Sequence, residues 1–333
     1  MNRRRVSDRS VRWGMIGVGN IARHALAPAI HKAANAELIA VATRDAARAS
    51  VLADELKASR AYDSYQALIE SDIDAVYIGL PNGLHEEWAI ACANAGKHVL
   101  CEKALTFTAD SAERINGAFA QNGVLLQEAY MYRHHPQWDV VHRILREGKL
   151  GRVTAVVTML SGNLEKTNLA DHRWSASLGG GALFDVTCYG IDISRYVLGA
   201  EPLSVTATAD LTPTEGVDRI STVTMMFPDQ VMAVAIGSLA SHHNQFTRIV
   251  GTEGTLEVLR PVIPGRDPAP LVLRRDGYPD ETISAPAADH FQLQVENFCR
   301  AVSSSEELQY PGENGLNNCR VYEAAAKSFH SPR

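Results

Sequence analysis

Three residues stand in settings that suit the handling of protons and charge: Lys103, Asp185 and Tyr189. Lys103 closes Gly96-Lys97-His98-Val99-Leu100-Cys101-Glu102-Lys103-Ala104, at the carboxyl end of an apolar strand. A lysine there loses hydration and can serve as a cation beside a reacting oxygen or as a proton carrier. The plainer alternative is a rim lysine paired with a carboxylate such as Glu102. Asp185 and Tyr189 lie in Gly179-Gly180-Gly181-Ala182-Leu183-Phe184-Asp185-Val186-Thr187-Cys188-Tyr189. In a helix they are four apart and share a face. Leu183, Val186 and Ile191 beside them are apolar, so both polar groups need partners when buried. A carboxylate next to a phenol suits substrate orientation and proton transfer; a buried Tyr–Asp hydrogen bond that only fixes packing is the alternative. The glycine run lets the start of that helix pass close to a ligand. A further stretch, Leu80-Pro81-Asn82-Gly83-Leu84-His85, leaves a strand at the same sheet edge as Lys103.

The element that would position these groups is Arg12-Trp13-Gly14-Met15-Ile16-Gly17-Val18-Gly19-Asn20-Ile21-Ala22. An apolar run enters a glycine turn and a helix-forming run, 21–32, leaves it. Gly17-x-Gly19-x-x-Ala22 fits the dinucleotide fingerprint with alanine in its third place. Gly17 makes the tight turn, Gly19 leaves room for a pyrophosphate, and Ala22 allows close helix–strand packing. Asn20 and Ile21 open a helix whose free N–H groups and partial positive charge favour phosphate.

Strand and helix signals alternate through the first third of the chain. Strands are expected at 37–42, 74–80, 98–101 and from 124. Asp45 is expected to cap a helix over 46–57, and Asp110-Ser111-Ala112-Glu113 to open another as a capping box. This rhythm implies a parallel sheet with helices on both faces and ligands beyond the carboxyl ends of its strands. After about residue 132 the rhythm changes. A helix over 136–147 and a long helix from near Gly180 are followed by short strands at 203–208, 220–227, 231–237, 246–250 and 255–259, several of them β-branched, which read as an antiparallel sheet. Asp267-Pro268-Ala269-Pro270 reads as a turn, and two helices close the chain. The domains expected are a flexible tail at 1–10, a Rossmann domain at 11–132 and an α+β domain for substrate binding and dimerisation at 133–333.

The 333 residues carry a net charge of −6, with 46% apolar and 21% charged residues, as in ordinary soluble proteins. That charge argues against nucleic acid as the main partner. The basic leader precedes no apolar segment of signal-peptide length, and no run is long enough to span a bilayer. Five scattered cysteines without a C-x-x-C point to a reducing cytoplasm. The adjacent pairs His134-His135 and His242-His243 lack carboxylate or cysteine at ligand spacing, so no metal is expected.

Taken together, the chain resembles the glucose–fructose oxidoreductase / inositol dehydrogenase (Gfo/Idh/MocA) family. The marks are the glycine fingerprint, Leu80-Pro81-Asn82-x-x-His85, the stretch ending Glu102-Lys103, Met131-Tyr132-Arg133-x-His135-Pro136, and Gly179-Gly180-Gly181-Ala182-Leu183-x-Asp185-x-x-x-Tyr189. The resemblance implies a Rossmann domain followed by an α+β domain with an open-faced, mainly antiparallel sheet. It implies hydride transfer between a nicotinamide and a hydroxyl or ketone of a sugar, polyol or dihydrodiol-like substrate. In that frame Lys103 holds the substrate oxygen and the cofactor ribose, Asp185 orients the substrate, and Tyr189 is the proton donor or acceptor. Leu80, Pro81, Asn82, His85 and Glu102 count among the cofactor-binding residues, and Arg133 and Trp174 among the substrate-binding ones. The loop 161–177, with His172, Arg173 and Trp174, is expected to shape the pocket, although Trp174 could equally be a core residue.

One departure from the family pattern is Ala104, where proline usually follows the lysine. A non-proline cis bond costs about 2.5–4 kcal/mol, so a trans Lys103–Ala104 bond is expected. At the end of the second strand the chain reads Thr43-Arg44-Asp45. Thr43 cannot replace the carboxylate that holds a ribose 2′-OH, whereas Arg44 suits a 2′-phosphate. NADP is therefore favoured, and Asp45 keeps NAD open. Two other readings share this fold: a non-catalytic cofactor-sensing regulator, and an NAD-dependent glycosidase. A homodimer or higher homo-oligomer is expected through the C-terminal sheet, because the run Val231-Met232-Ala233-Val234-Ala235-Ile236 is apolar at every position and should be buried on both faces.

Overall fold

The computed structural model describes residues 9–304 and 306–329. The tail expected at 1–10 lies, for residues 1–8, outside the described residues; Arg9 is paired with Asp74 at 2.8 Å. The chain forms two compact units. One runs through Tyr130 and takes in His290–Cys319; the other comprises Met131–Asp289 and the residues from Arg320 on. The sequence reading kept 133–333 together. The structure groups 290–319 with the first unit because helix His290–Ser303 packs there. Phe298 stacks on Trp13 at 5.3 Å between ring centroids, and Trp13 Nε1 donates to Cys299 Sγ.

In the first unit six parallel strands, β1 (Val11–Ile16), β2 (Ala36–Ala42), β3 (Arg60–Tyr62), β4 (Ala75–Ile78), β5 (His98–Cys101) and β6 (Leu126–Glu128), lie in the order β3-β2-β1-β4-β5-β6. The order reverses between β1 and β4, which makes a crevice beyond their carboxyl ends. Strands β4 and β5 are wholly buried and β1 nearly so, the state of a parallel sheet covered on both faces. Asp45 caps helix Ala46–Leu56 as expected, its side chain accepting from the Ala47 N–H. The helix Ala109–Asn122 is capped instead by Thr108, which accepts from Ser111, so Asp110 sits within the first turn.

In the second unit eight strands form one mixed sheet. They are β7 (Val153–Asn163), β8 (Ser204–Leu211), β9 (Asp218–Met226), β10 (Met232–Ser238), β11 (Ala240–Gly251), β12 (Gly254–Val258), β13 (Ala269–Arg275) and β14 (Glu281–Ala285), in the order β14-β13-β12-β11-β7-β10-β9-β8. Only β7 and β10 pair in parallel; the remaining pairs are antiparallel. The turn expected at Ala269-Pro270 is the start of β13, where Pro270 stands opposite Ser284. The helix Cys188–Leu198 covers one face. Gly190 permits this close approach, since a Cβ there would lie 2.7 Å from that of Ala235. The other side of β10 is more open: Met232 is 37% exposed and Val234 and Ile236 are half-buried, while Ala233 and Ala235 are fully buried.

Candidate active site

Turns at the carboxyl ends of β1, β2, β4 and β5 carry the nucleotide-site residues expected in the first unit. Gly17 has φ +75°, and a Cβ on it would lie 2.4–2.5 Å from the backbone of Gly79 and Leu80. Only glycine fits there. Gly19 differs, because a Cβ on it would meet nothing within 4 Å. The turn therefore presses against its neighbour on one side and faces open space on the other, which fits a pyrophosphate on the following helix start. That helix winds more widely over Ala22–Leu26 and then regularly over Ala27–Lys32. Ala22 is buried, Asn20 is exposed, and Ile21 keeps 45% of its surface exposed at the mouth of the turn.

At the end of β2 the Thr43 N–H donates to Tyr62 O at 3.2 Å. Asp45 spends one carboxylate oxygen on its helix cap. Arg44 is exposed, and among the described residues no carboxylate pairs with it. A planar cation held open in this way suits a 2′-phosphate.

His85 ties the turn after β4 to the turn after β5. Its Nε2 lies 2.8 Å from Leu80 O, and its Nδ1 lies 3.0 Å from Ala104 O and 3.1 Å from Leu105 O. Burial pushes the His85 pKa down, assisted by the charge of Lys103 and opposed by the three carbonyls. Pro81 and Asn82 flank the Leu80 turn and are half-buried. Glu102 accepts from the buried Tyr77 hydroxyl at 2.9 Å and, at 3.3 Å, from the Lys103 N–H. Lys103 is half-buried where β5 ends.

The Lys103–Ala104 peptide bond is cis, which corrects the expected trans bond. The contacts that hold this backbone come from afar. Glu128 accepts the Leu105 N–H at 2.7 Å and is itself held by Asn318 at 3.1 Å. Cys319 Sγ donates to Thr106 O. Neither Glu128 nor Asn318 was expected from the sequence; the only signal was a carboxylate just beyond the apolar run that opens at Val124.

In the second unit the glycine run is braced by residues distant in sequence. A Cβ on Gly180 would meet Arg173 O at 2.4 Å, and one on Gly181 would lie 2.0 Å from Asp218 Oδ1. Gly181 also has φ +105°. The helix that follows is wound widely over Leu183–Thr187 before the regular turns of Cys188–Leu198. Asp185 accepts from Arg173 Nε at 2.9 Å, and Arg173 also holds Asp171. Arg173 thus supplies the partner Asp185 needs and lies in the same short turn as Trp174. Trp174 is half-buried, and its Nε1 donates to Asn168 O.

Tyr189 is 7% exposed, with its hydroxyl directed at Met131 Sδ, 3.8 Å away. Arg133 is buried in a bidentate pair with Asp192, at 2.8 Å and 2.6 Å. Among the described residues no group of three or more potential ligands could hold a metal.

Comparison with known proteins agrees with this fold. Residues 11–130 match the model of the oxidoreductase family with an NAD-binding Rossmann fold, and residues 138–257 match the GFO/IDH/MocA C-terminal domain. The chain is 36% identical to D-xylose 1-dehydrogenase (NADP(+)) 2 of Haloferax volcanii, over 95% of this chain and 96% of that one. It is 32% identical to the dTDP-3,4-didehydro-2,6-dideoxy-alpha-D-glucose 3-reductase of Saccharopolyspora spinosa, over 95% of each. Among solved structures it is similar to KijD10, a 3-ketoreductase from Actinomadura kijaniata in complex with NADP and TDP-benzene. There the TM-score is 0.91 at 29% identity, over 96% of this chain and 98% of that one. The chain belongs to the Gfo/Idh/MocA family of oxidoreductases.

Proposed function

We propose that this protein transfers hydride between NADP and a hydroxyl or ketone carbon of a sugar-like substrate. The observation that carries the reading is the Gly17–Gly19 turn, wedged against Gly79 on one side and open above Gly19 on the other. The exposed Arg44 and the NADP named for the xylose dehydrogenase and for KijD10 favour NADP over NAD. When bound, the nicotinamide would supply the hydride donor or acceptor. The chain's own residues then do the rest. Arg173 holds Asp185 oriented for the substrate hydroxyls. In the reducing direction the Tyr189 hydroxyl gives its proton to the carbonyl oxygen as the adjoining carbon receives hydride; in the oxidising direction the Tyr189 phenolate takes the proton of the reacting hydroxyl as its carbon gives up hydride. The Lys103 ammonium polarises the same oxygen.

A panel of D-xylose, other aldoses, 1,5-anhydro-D-fructose and a trans-dihydrodiol, each with NADP and NAD, tests the reading through nicotinamide absorbance. Turnover with NADP on one or more members is expected. Tight cofactor binding with no turnover on any member would indicate a sensor. Sugar released from glycosides without net cofactor change would indicate a glycosidase.

The open side of β10 supports a homodimer built on the C-terminal sheet. The five cysteines are buried and none is in a disulfide, which fits a reducing compartment such as the cytoplasm. No described helix is long and apolar enough to cross a membrane.

A further inference from the structure

The motif Met131-Tyr132-Arg133 has no role in the chemistry above, and the structure shows what it touches. Tyr189, Asp192 and Tyr196 stand at positions i, i+3 and i+7 of one helix and so form a stripe along it. Tyr132 and Arg133 lie across that stripe. The Tyr132 ring meets the Tyr189 ring edge-on at 6.1 Å and the Tyr196 ring at 6.4 Å. Its hydroxyl donates to Asp192 Oδ2 at 2.5 Å. Arg133 grips both oxygens of the same carboxylate and stacks over Tyr196 with its guanidinium carbon 4.6 Å from the ring centre. Trp138 closes the far side of the Tyr132 ring at 5.3 Å.

The charges in this cluster are fixed. Burial raises the Tyr132 pKa well above its ordinary value, and the Asp192 carboxylate adds to the rise, so Tyr132 keeps its proton as a donor. Burial alone would raise Asp192, but Arg133 and Arg195 hold it below the ordinary carboxylate range. A buried ion pair with all its oxygens in use sets direction more than stability.

We infer that Arg133, Asp192 and Tyr132 form a latch that fixes the direction of the Tyr189 phenol, with Tyr132 as the positioning residue in contact with it. Arg133 then serves the reaction through Asp192 and Tyr132, and not as a substrate ligand. The inference rests on Tyr189 being the proton carrier. The latch holds the Met131–His134 turn against the stripe, which also sets Met131 Sδ before the Tyr189 hydroxyl. A phenol that must meet a reacting oxygen within hydrogen-bond reach loses rate steeply when its direction is relaxed.

The test is a double-mutant cycle of Tyr132→Phe and Tyr189→Phe, read as kcat and KM with NADP and the sugar of the panel that turns over fastest. Tyr132→Phe keeps the ring and the Arg133–Asp192 pair and removes only the hydroxyl. It is expected to lower kcat by roughly 10–100-fold with KM changed less than about 3-fold, as for lost alignment. Tyr189→Phe is expected to lower kcat by roughly 10²–10⁴-fold. If Tyr132 acts through Tyr189, the double variant is no slower than Tyr189→Phe alone. A Tyr132→Phe enzyme with the parent kcat, or losses that multiply in the double variant, would overturn the latch while leaving Tyr189 in place. A Tyr189→Phe enzyme with near-parental kcat would overturn the proton-carrier reading and the latch with it.

Discussion

Asp218 accepts the backbone N–H of Leu183 at 2.7 Å, across 35 residues of sequence. Its other oxygen lies where a Cβ on Gly181 would have to be. The carboxylate thus caps, from the start of β9, the helix that carries Asp185 and Tyr189. It is 4% exposed, and burial raises its pKa to about 7, with hydrogen bonds from Ser221 and the backbone limiting the rise.

That shift has a sign. Between pH 4 and 7 the folded carboxyl keeps a proton that the unfolded chain has released. The stabilisation is therefore full below pH 4 and lost as pH rises through 7. Its size is about 4 kcal/mol at most, at 1.36 kcal/mol per pKa unit. Asp218→Asn keeps an oxygen for Leu183 and never ionises. Urea unfolding from pH 4 to pH 8 should show the parent losing stability relative to the variant as pH rises. Parallel curves would contradict the buried-carboxylate account.

Arg44→Ala should weaken NADP binding by about 10–100-fold, the loss of one or two charge-assisted hydrogen bonds. NAD binding should change by less than about 2-fold, because NAD carries no 2′-phosphate for Arg44 to hold. Dissociation constants for both cofactors, measured by calorimetry, decide the matter. Equal losses would remove Arg44 from phosphate recognition.

Features whose cause is local were legible in the sequence. The glycine turn at 17–19 announces itself through two glycines at fixed spacing, and the Asp45 cap through a single residue. The alternation of strand and helix in the first unit is a pattern of neighbours. Lys103, Asp185 and Tyr189 were placed by motif; Lys103 falls just beyond β5, and Asp185 and Tyr189 fall within the two helical stretches that follow the glycine run. What was not legible depends on approach across the fold. Arg133 was visible as part of a motif, yet its partner Asp192 lies 59 residues away. Glu128 and Asn318 brace the Lys103 turn from distant segments. Nothing in Ala104-Leu105-Thr106 foretold the cis bond. β3 has only three residues and β14 only five, too short for a period to show.

His85 is the strut between the Leu80 and Lys103 turns, so its loss should act on both. His85→Leu leaves three buried carbonyls without the ring nitrogens they face. The expected cost is about 2–4 kcal/mol of stability, from unsatisfied polar groups and altered packing. Cofactor affinity should fall as well, because both turns border the nucleotide crevice. The His85 pKa is lowered, so the neutral ring is the folded form. Its contribution to stability is present above the ordinary histidine pKa and is lost as pH falls through the lowered one. Urea unfolding at neutral pH, with a cofactor titration, checks both parts. A variant as stable as the parent and as tight for NADP would show that the strut is dispensable.

The sheet of the second unit leads to the last prediction. On one side of β10, Ala233 and Ala235 are fully buried. On the other, Met232, Val234 and Ile236 stand beside Ala155, Val157 and Met159 of β7 in register. Phe246 of β11 continues the stripe next to Met159. In one chain these residues are half-buried, apart from Met232, which is more exposed. A continuous apolar stripe across three adjacent strands is more than a lone surface residue, and the prediction is that it is the association surface. A two-fold dimer sets the same patch of each copy against the other, so a second copy would cover this face with the same residues. Light scattering at micromolar concentration should give twice the mass of one chain. Val234→Asp places a charge at the centre of the stripe and should shift the protein to the monomer, with the fold kept by circular dichroism. A parent that runs as a monomer, or a Val234→Asp variant that remains dimeric, would show that this face is not the interface.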